Sequence, residues 1–151
     1  MAIIAQRDQE TIRNSFEEQM VGDVEIVMFT ERPSPIILPF RGQCETCEDT
    51  ERLLSEVAEL SDKIKLTVHQ LSTSGEEAAS YGIDRVPAFV LKGAARGQVR
   101  FFGIPSGYEF SAFLADLIDT SRGSTDLSQA TKEYLGTLTE DVNLKVFTTP
   151  T

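Results

Sequence analysis

Tryptophan is absent from this chain of 151 residues, histidine occurs once, as His69, and cysteine only twice. Two cysteines are too few to staple a small secreted scaffold. With a single histidine they also cannot close a four-ligand metal site within the chain from Cys and His alone. Positive charge is scarce as well: 14 Lys and Arg stand against 24 Asp and Glu, a formal charge of −10. That excess repels a phosphate backbone and argues against nucleic acid as a partner. Long apolar runs are missing. Nothing approaches the roughly 18 consecutive apolar residues of a membrane span, and charge interrupts every short window of residues 1–20, unlike a secretory leader. The expectation is a cytoplasmic protein with no membrane partner. Hydrophobic residues at 40% and charged residues at 25% are those of a folded domain, and a chain this long buries about two thirds of its unfolded surface, enough for a core without staples.

The pattern alternates between helix and strand. Asp8 reads as an N-cap, Ile12, Phe16 and Met20 recur at helical spacing, and Gly22 is suited to a left-handed stop. Val24 to Thr30 is continuously apolar and β-branched, which predicts a strand covered on both faces. Prolines 33, 35 and 39 predict a loop over residues 31–43, and the apolar run Ile36-Ile37-Leu38 within it is expected to dock near the cysteines. Leu53, Leu54, Val57, Ala58 and Leu60 predict a helix. Ile64, Leu66 and Val68 alternate as a strand, and a short helix ends at Gly82. Pro87 opens a strand that turns through Gly93 to Gly97 into a second one, residues 98–102, as a hairpin. Ser106-Gly107-Tyr108-Glu109 reads as a capping box for a helix carrying Phe110, Phe113, Leu114, Leu117 and Ile118 and ending near Gly123. The remainder repeats the beginning: Ile12, Phe16, Met20, Val24, Ile26, Met28 and Thr30 correspond in order to Ala130, Tyr134, Leu138, Val142, Leu144, Val146 and Thr148. The sequence therefore predicts one unit over residues 1–124 and the first helix and strand of a second, incomplete one over residues 125–151.

Chemistry concentrates at Cys44-Glu45-Thr46-Cys47, which opens the helix after the first strand. Amides at a helix start favour a thiolate on the first cysteine, and a second cysteine one turn on can resolve a mixed disulfide. Glu45, Glu48, Asp49 and Glu51 oppose that thiolate and Arg41 favours it, so a thiol of moderate acidity is expected. A metal half-site shared between two chains is the alternative that this spacing leaves open. His69, on the solvent-facing rhythm of its strand, is expected in a surface or hydrogen-bonding role. Phe101, Phe102, Phe110 and Phe113 are expected in the core.

With that dithiol, with Arg85-Val86-Pro87-Ala88 opening a hairpin and Gly103 closing it, the chain resembles the thioredoxin superfamily. More narrowly, residues 81–88 and 100–110 are similar to the N-terminal half of the glutaredoxin-like protein disulfide oxidoreductases, which fuse two thioredoxin-fold units. The resemblance implies a thioredoxin-like α/β fold, a mixed sheet flanked by helices, with an extra helix in front. It implies a protein disulfide oxidoreductase that needs no cofactor and no metal, with Cys44 as nucleophile, Cys47 as resolving thiol, and Val86 and a cis Pro87 as the platform for an extended substrate. Protein dithiols and disulfides are the implied partners, together with a thioredoxin-reductase-like flavoprotein, and oligomers could form through the C-terminal strand. A non-catalytic docking or scaffold module is the alternative. In that family the pattern of residues 146–151 leads into a second Cys-x-x-Cys, and the sequence ends first. The connection over residues 33–43 is longer than the family's, Ile26-Val27-Met28-Phe29 lacks the acid that thioredoxins bury there, and the acidic glutathione-binding pattern of glutaredoxins is missing after Gly103. Protein substrates are therefore favoured over glutathione.

Overall fold

The structure, a computed structural model, describes residues 2–32 and 44–147. The expected loop with Ile36-Ile37-Leu38 and Arg41, and the residues from Thr148 onward, lie outside the described residues. Among the described residues nine elements follow: α1 (Gln6–Gln19), β1 (Val24–Thr30), α2 (Cys47–Ala58), β2 (Ile64–Gln70), α3 (Gly75–Ser80), β3 (Ala88–Lys92), β4 (Val99–Phe102), α4 (Tyr108–Arg122) and α5 (Gln129–Gly136). The strands form a four-stranded sheet in the order β2-β1-β3-β4. β1 and β2 run parallel, while β1 with β3 and β3 with β4 run antiparallel. This is the mixed sheet flanked by helices that the sequence implies, a thioredoxin-like arrangement.

The unbroken apolar run of β1 follows from its central position. Val24, Ile26 and Met28 enter one core with Ile12 and Phe16 of α1, Leu53, Leu54 and Val57 of α2, and Phe113 and Leu117 of α4. Val27 and Phe29 enter a second core on the opposite face with Ala78 of α3, Ile83, Ala88 and Val90. Alternate side chains of a strand point to opposite faces, and both faces of this one are covered. β2, at an edge, begins with the buried Ile64 and the exposed Lys65 but does not keep that alternation: Val68 is exposed, while Thr67 and His69 beside it are half-buried.

Local signals mislead at helix ends. α1 starts at Gln6 with Ala5 as its cap, and the Ala5 carbonyl accepts the N–H groups of Asp8 and Gln9 at 2.9 and 3.0 Å. Asp8 lies inside the first turn, where a carboxylate still favours the positive end of the helix. Gly22 does not adopt a left-handed conformation. It lies where α4 comes close: its N–H donates to the Ser121 carbonyl at 3.2 Å, and a Cβ would meet the same oxygen at 3.2 Å. The expected capping box before α4 is a backbone cap. Gly107 turns the chain at φ 60°, and the Ser106 carbonyl, with no side-chain cap, accepts the Glu109 N–H at 3.2 Å.

The C-terminal part departs further. α5 forms, with Ser128 accepting the Thr131 N–H as a side-chain cap, yet it buries no residue. Residues 141–147, which include most of the expected second-unit strand, are neither helix nor strand, and Val142, Leu144, Val146 and Phe147 are exposed. A strand needs a hydrogen-bonded neighbour and a face to pack on, and this segment pairs with no strand of the sheet. No described helix is long and apolar enough to cross a membrane.

Candidate active site

Two parallel strands joined by a helix require a crossover, so α2 runs antiparallel to β1 and begins at the end of the sheet where β1 finishes. That geometry carries Cys44 and Cys47 to the C-terminal end of β1. Cross-strand register brings a second segment to the same end: Ala88 lies opposite Phe29, and Phe102 lies opposite Ala88. Pro87 and Gly103 therefore sit just beyond the paired residues, joined by a hydrogen bond from the Gly103 N–H to the Pro87 carbonyl at 2.8 Å. The Val86–Pro87 peptide is cis, as the resemblance implies. Val86 is half-buried and Pro87 buried. Among the described residues the Val86 N–H and carbonyl join no backbone hydrogen bond.

Cys44 and Cys47 form a disulfide with Cα atoms 5.5 Å apart. Such a bond is one half of a two-electron couple whose other half is the dithiol. The helix register differs from the expected one. Cys47 is the first residue of α2, Thr46 is its cap and Cys44 lies two residues ahead of the cap. The first N–H groups of a helix, here those of Cys47, Glu48 and Asp49, have no acceptor inside it, so the Cys47 amide is not committed to the helix. The two sulfur-bearing residues differ in access: Cys47 is 3% exposed, whereas Cys44 is half-exposed. Cys47 lines up with Thr50, Leu53, Leu54 and Val57 on the buried stripe of α2. Thr50, fully buried, donates its Oγ1 hydrogen to the Thr46 carbonyl at 2.7 Å and its N–H to the same oxygen at 2.9 Å. This pair of bonds fixes the first turn of α2, from the Thr46 cap to Thr50 with Cys47 inside it, and the sequence reading missed it. The signal was present in the three-residue spacing from Cys47 to Thr50.

Glu45, Glu48 and Asp49 are exposed around the helix start and Glu51 is half-buried. Asp49 is engaged by Arg52 at 3.6 Å. The buried polar side chains among the described residues are Thr30, Thr50, Thr120 and Ser121, none of them an acid. The carboxylate that β1 does carry, Glu25, pairs with Lys65 and Lys92 at the far end of the strand. There the Lys92 ammonium at 3.1 Å and then the Thr67 hydroxyl at 2.9 Å hold it below the ordinary glutamate range, with burial opposing them.

His69 stacks on Phe29 with ring centroids 5.5 Å apart, and its Nδ1 lies 3.2 Å from Glu77 Oε2. That is a hydrogen-bonding, half-buried role. Phe113 is in the core, with Phe101 and Phe110 packed against it. Phe102 is not: its ring is on the surface, 46% exposed, beneath the Arg85 guanidinium. Phe101 and Phe102 are neighbours on one strand and face opposite sides of the sheet; on the edge strand β4 the side facing α4 takes Phe101 against Phe113, and the other side leaves Phe102 exposed.

Comparison with known proteins agrees with this geometry. The thioredoxin-domain family model matches residues 36–115. No curated protein matches the sequence. Among solved structures, a protein disulfide oxidoreductase from Aeropyrum pernix K1 is similar at TM-score 0.72 and 29% identity, over 89% of this chain and 55% of that one. The alkylhydroperoxide reductase AhpF of Enterococcus faecalis is similar in fold at TM-score 0.73 and 21% identity, over 89% of this chain and 61% of that one. The chain thus spans little more than half the length of these proteins. By its sheet, its helix-opening cysteine pair and the match over residues 36–115, the chain belongs to the thioredoxin-domain family.

Proposed function

We propose that this chain is a thiol-disulfide oxidoreductase unit that exchanges electrons with protein substrates through Cys44 and Cys47. The observation that carries the reading is the Cys44–Cys47 disulfide at the opening of α2, with one partner accessible and the other buried. In the reducing direction the Cys44 thiolate attacks a substrate disulfide, forming a Cys44–substrate disulfide and releasing one substrate thiolate. The Cys47 thiolate then attacks Cys44 Sγ, releasing the second substrate thiolate and leaving Cys44–Cys47 oxidised. Two electrons pass from the chain to the substrate, and the two protons given up by the dithiol balance those taken by the released thiolates. Val86 offers an unpaired N–H and carbonyl beside this site, suited to an extended substrate segment, with Pro87 shaping the platform.

The finer relationship is to the N-terminal half of the glutaredoxin-like protein disulfide oxidoreductases, with residues 1–124 as one thioredoxin-like unit and residues 125–151 as the start of a second. The 29% identity to the Aeropyrum pernix protein disulfide oxidoreductase supports it. A thioredoxin-reductase-like flavoprotein is the class of partner that would restore the dithiol, and the cytoplasm is the compartment, in keeping with few cysteines and a reactive pair. Insulin reduction tests the activity. With dithiothreitol or a flavoprotein reductase as the electron source, the chain should accelerate precipitation over a Cys44→Ser control, and equal rates would refute the reading. A reduction potential close to that of thioredoxin, about −270 mV, would assign it to reduction and one near about −180 mV to oxidation or isomerisation.

A further inference from the structure

We infer that Arg85, held on the ring of Phe102, selects substrates with a carboxylate side chain next to the cysteine under attack; the inference rests on the oxidoreductase reading above. Arg85 lies two positions before Pro87, and Phe102 is the cross-strand partner of Ala88, so the two flank the platform at Val86 and Pro87. The Arg85 Cζ lies 5.1 Å over the centroid of the Phe102 ring. A guanidinium stacked on an aromatic face is oriented before anything binds, which reduces the ordering cost of recognition. Its Nε donates to Asp84 Oδ1 at 2.9 Å. Among the described residues, its two terminal nitrogens have no hydrogen-bond or ion-pair partner. The side chains of Arg85 and Asp84 are 71% and 73% exposed, so that ion pair is screened and weak. An incoming carboxylate can take the free edge, or displace Asp84 and bind the fork in bidentate fashion, at little cost.

The surroundings give this position its selectivity. Across the site, the start of α2 presents Glu45, Glu48 and Asp49, which repel a substrate carboxylate, and the whole chain carries a charge of −10. Among the described residues on this face, Arg100 is engaged with the Tyr81 carbonyl through Nη1 at 3.2 Å and Lys92 with Glu25 at 3.1 Å. Among the described residues, Arg85 is therefore a place beside the platform where negative charge is welcome. A bound segment would be oriented by it, with its acidic side toward β3 and β4 and away from α2.

The test uses the full chain and three synthetic peptides, each with one intramolecular disulfide, in which the residues on both sides of the attacked cysteine are all Glu, all Gln or all Lys. The wild type should favour the Glu over the Gln peptide by about fivefold in kcat/KM, near the upper end of what an exposed ion pair supplies. Arg85→Gln should bring that ratio to one or below, Phe102→Leu should lower it partway, and Arg85→Glu should invert the preference toward Lys. A merely structural role for Arg85 would not produce the inversion. A wild type that turns over Gln at least as fast as Glu, or an Arg85→Gln variant that keeps the wild-type ratio, would overturn the inference while leaving the oxidoreductase reading in place. Failure of the wild type to reduce even the Gln peptide would overturn both.

Discussion

The Glu56 carboxylate, on the same helix that begins with Cys47, grips the backbone of Ile3, accepting its N–H through Oε1 at 2.7 Å and Oε2 at 2.9 Å, and that of Ile4 at 2.9 Å. This contact ties the segment ahead of α1 to α2 and lets Ile4 enter the core. Hydrogen bonds to a charged acceptor contribute about 1.5–3 kcal/mol where they are partly buried. Glu56→Ala should therefore lower unfolding free energy by about 1–2 kcal/mol in urea titrations. Early cleavage near residue 4 should follow in limited proteolysis. An unchanged midpoint and cleavage pattern would show that the N-terminal segment is held by Ile4 and Ile12 alone.

A second consequence concerns acid. Glu25 is held below the ordinary glutamate value of 4.5, first by Lys92 and next by Thr67. A carboxyl whose folded pKa is depressed contributes stability that is present above its unfolded pKa and lost as pH falls through the folded one. The raised pKa of Lys92, due first to Tyr81 and then to Glu25, works in the alkaline direction, where its contribution is lost as pH rises through the folded value. Lys92→Met should therefore melt below wild type at pH 7 and converge with it as pH falls below the glutamate range. Melting curves followed from neutral pH to strong acid check this, and parallel lines for the two proteins would contradict it.

How far the molecule can be read from its sequence depends on the reach of each contact. Hydropathy pattern locates β1, β2 and α4: β1 is an unbroken apolar run because its residues meet neighbours on both faces, and α4 is periodic because its apolar residues meet them on one. Helix ends were less legible. α1 begins where it does because a segment before it is held by Glu56, and Gly22 is small because Ser121 approaches it. No local window contains both members of either pair. The cysteine pair was legible as a motif. Its unequal depth follows from the buried stripe of α2, which extends back through Thr50 to Cys47. Residues 142–147 correspond in sequence to β1 but form no strand, because correspondence records what a segment could pair with, and no strand of the described sheet lies beside it.

The tail leads to a third expectation. α5 buries nothing, and Tyr134, Leu135, Leu138, Val142, Leu144, Val146 and Phe147 are exposed along it and beyond. Deleting residues 125–151 should change unfolding free energy by less than about 1 kcal/mol, since surface segments contribute little. Removing so many exposed apolar side chains should also reduce self-association. Sedimentation velocity and thermal melting of the two forms decide the point. A large drop in melting temperature, or identical sedimentation at high concentration, would contradict it.

The division of labour between the cysteines is the most direct consequence of the helix register. Cys44 lies ahead of the Thr46 cap and is half-exposed, while Cys47 occupies the first helical position at 3% exposure. An incoming disulfide must reach a sulfur in line with its own S–S bond, so access weighs as heavily as thiolate character. The uncommitted amides at the start of α2 lie ahead of the helix, on the side where Cys44 precedes it, and act at shorter range than the solvated carboxylates around them. In the reduced chain, substoichiometric iodoacetamide should therefore label Cys44 in preference to Cys47 by about tenfold or more, as a surface thiol outpaces a buried one. Cys47→Ser should accumulate a substrate disulfide on Cys44, and Cys44→Ser should abolish turnover with its melting temperature retained. Peptide mass mapping after brief alkylation reads the first result, and non-reducing gels read the second. Preferential labelling of Cys47 would reverse the assignment, because it would require the first turn of α2 to open before the site reacts.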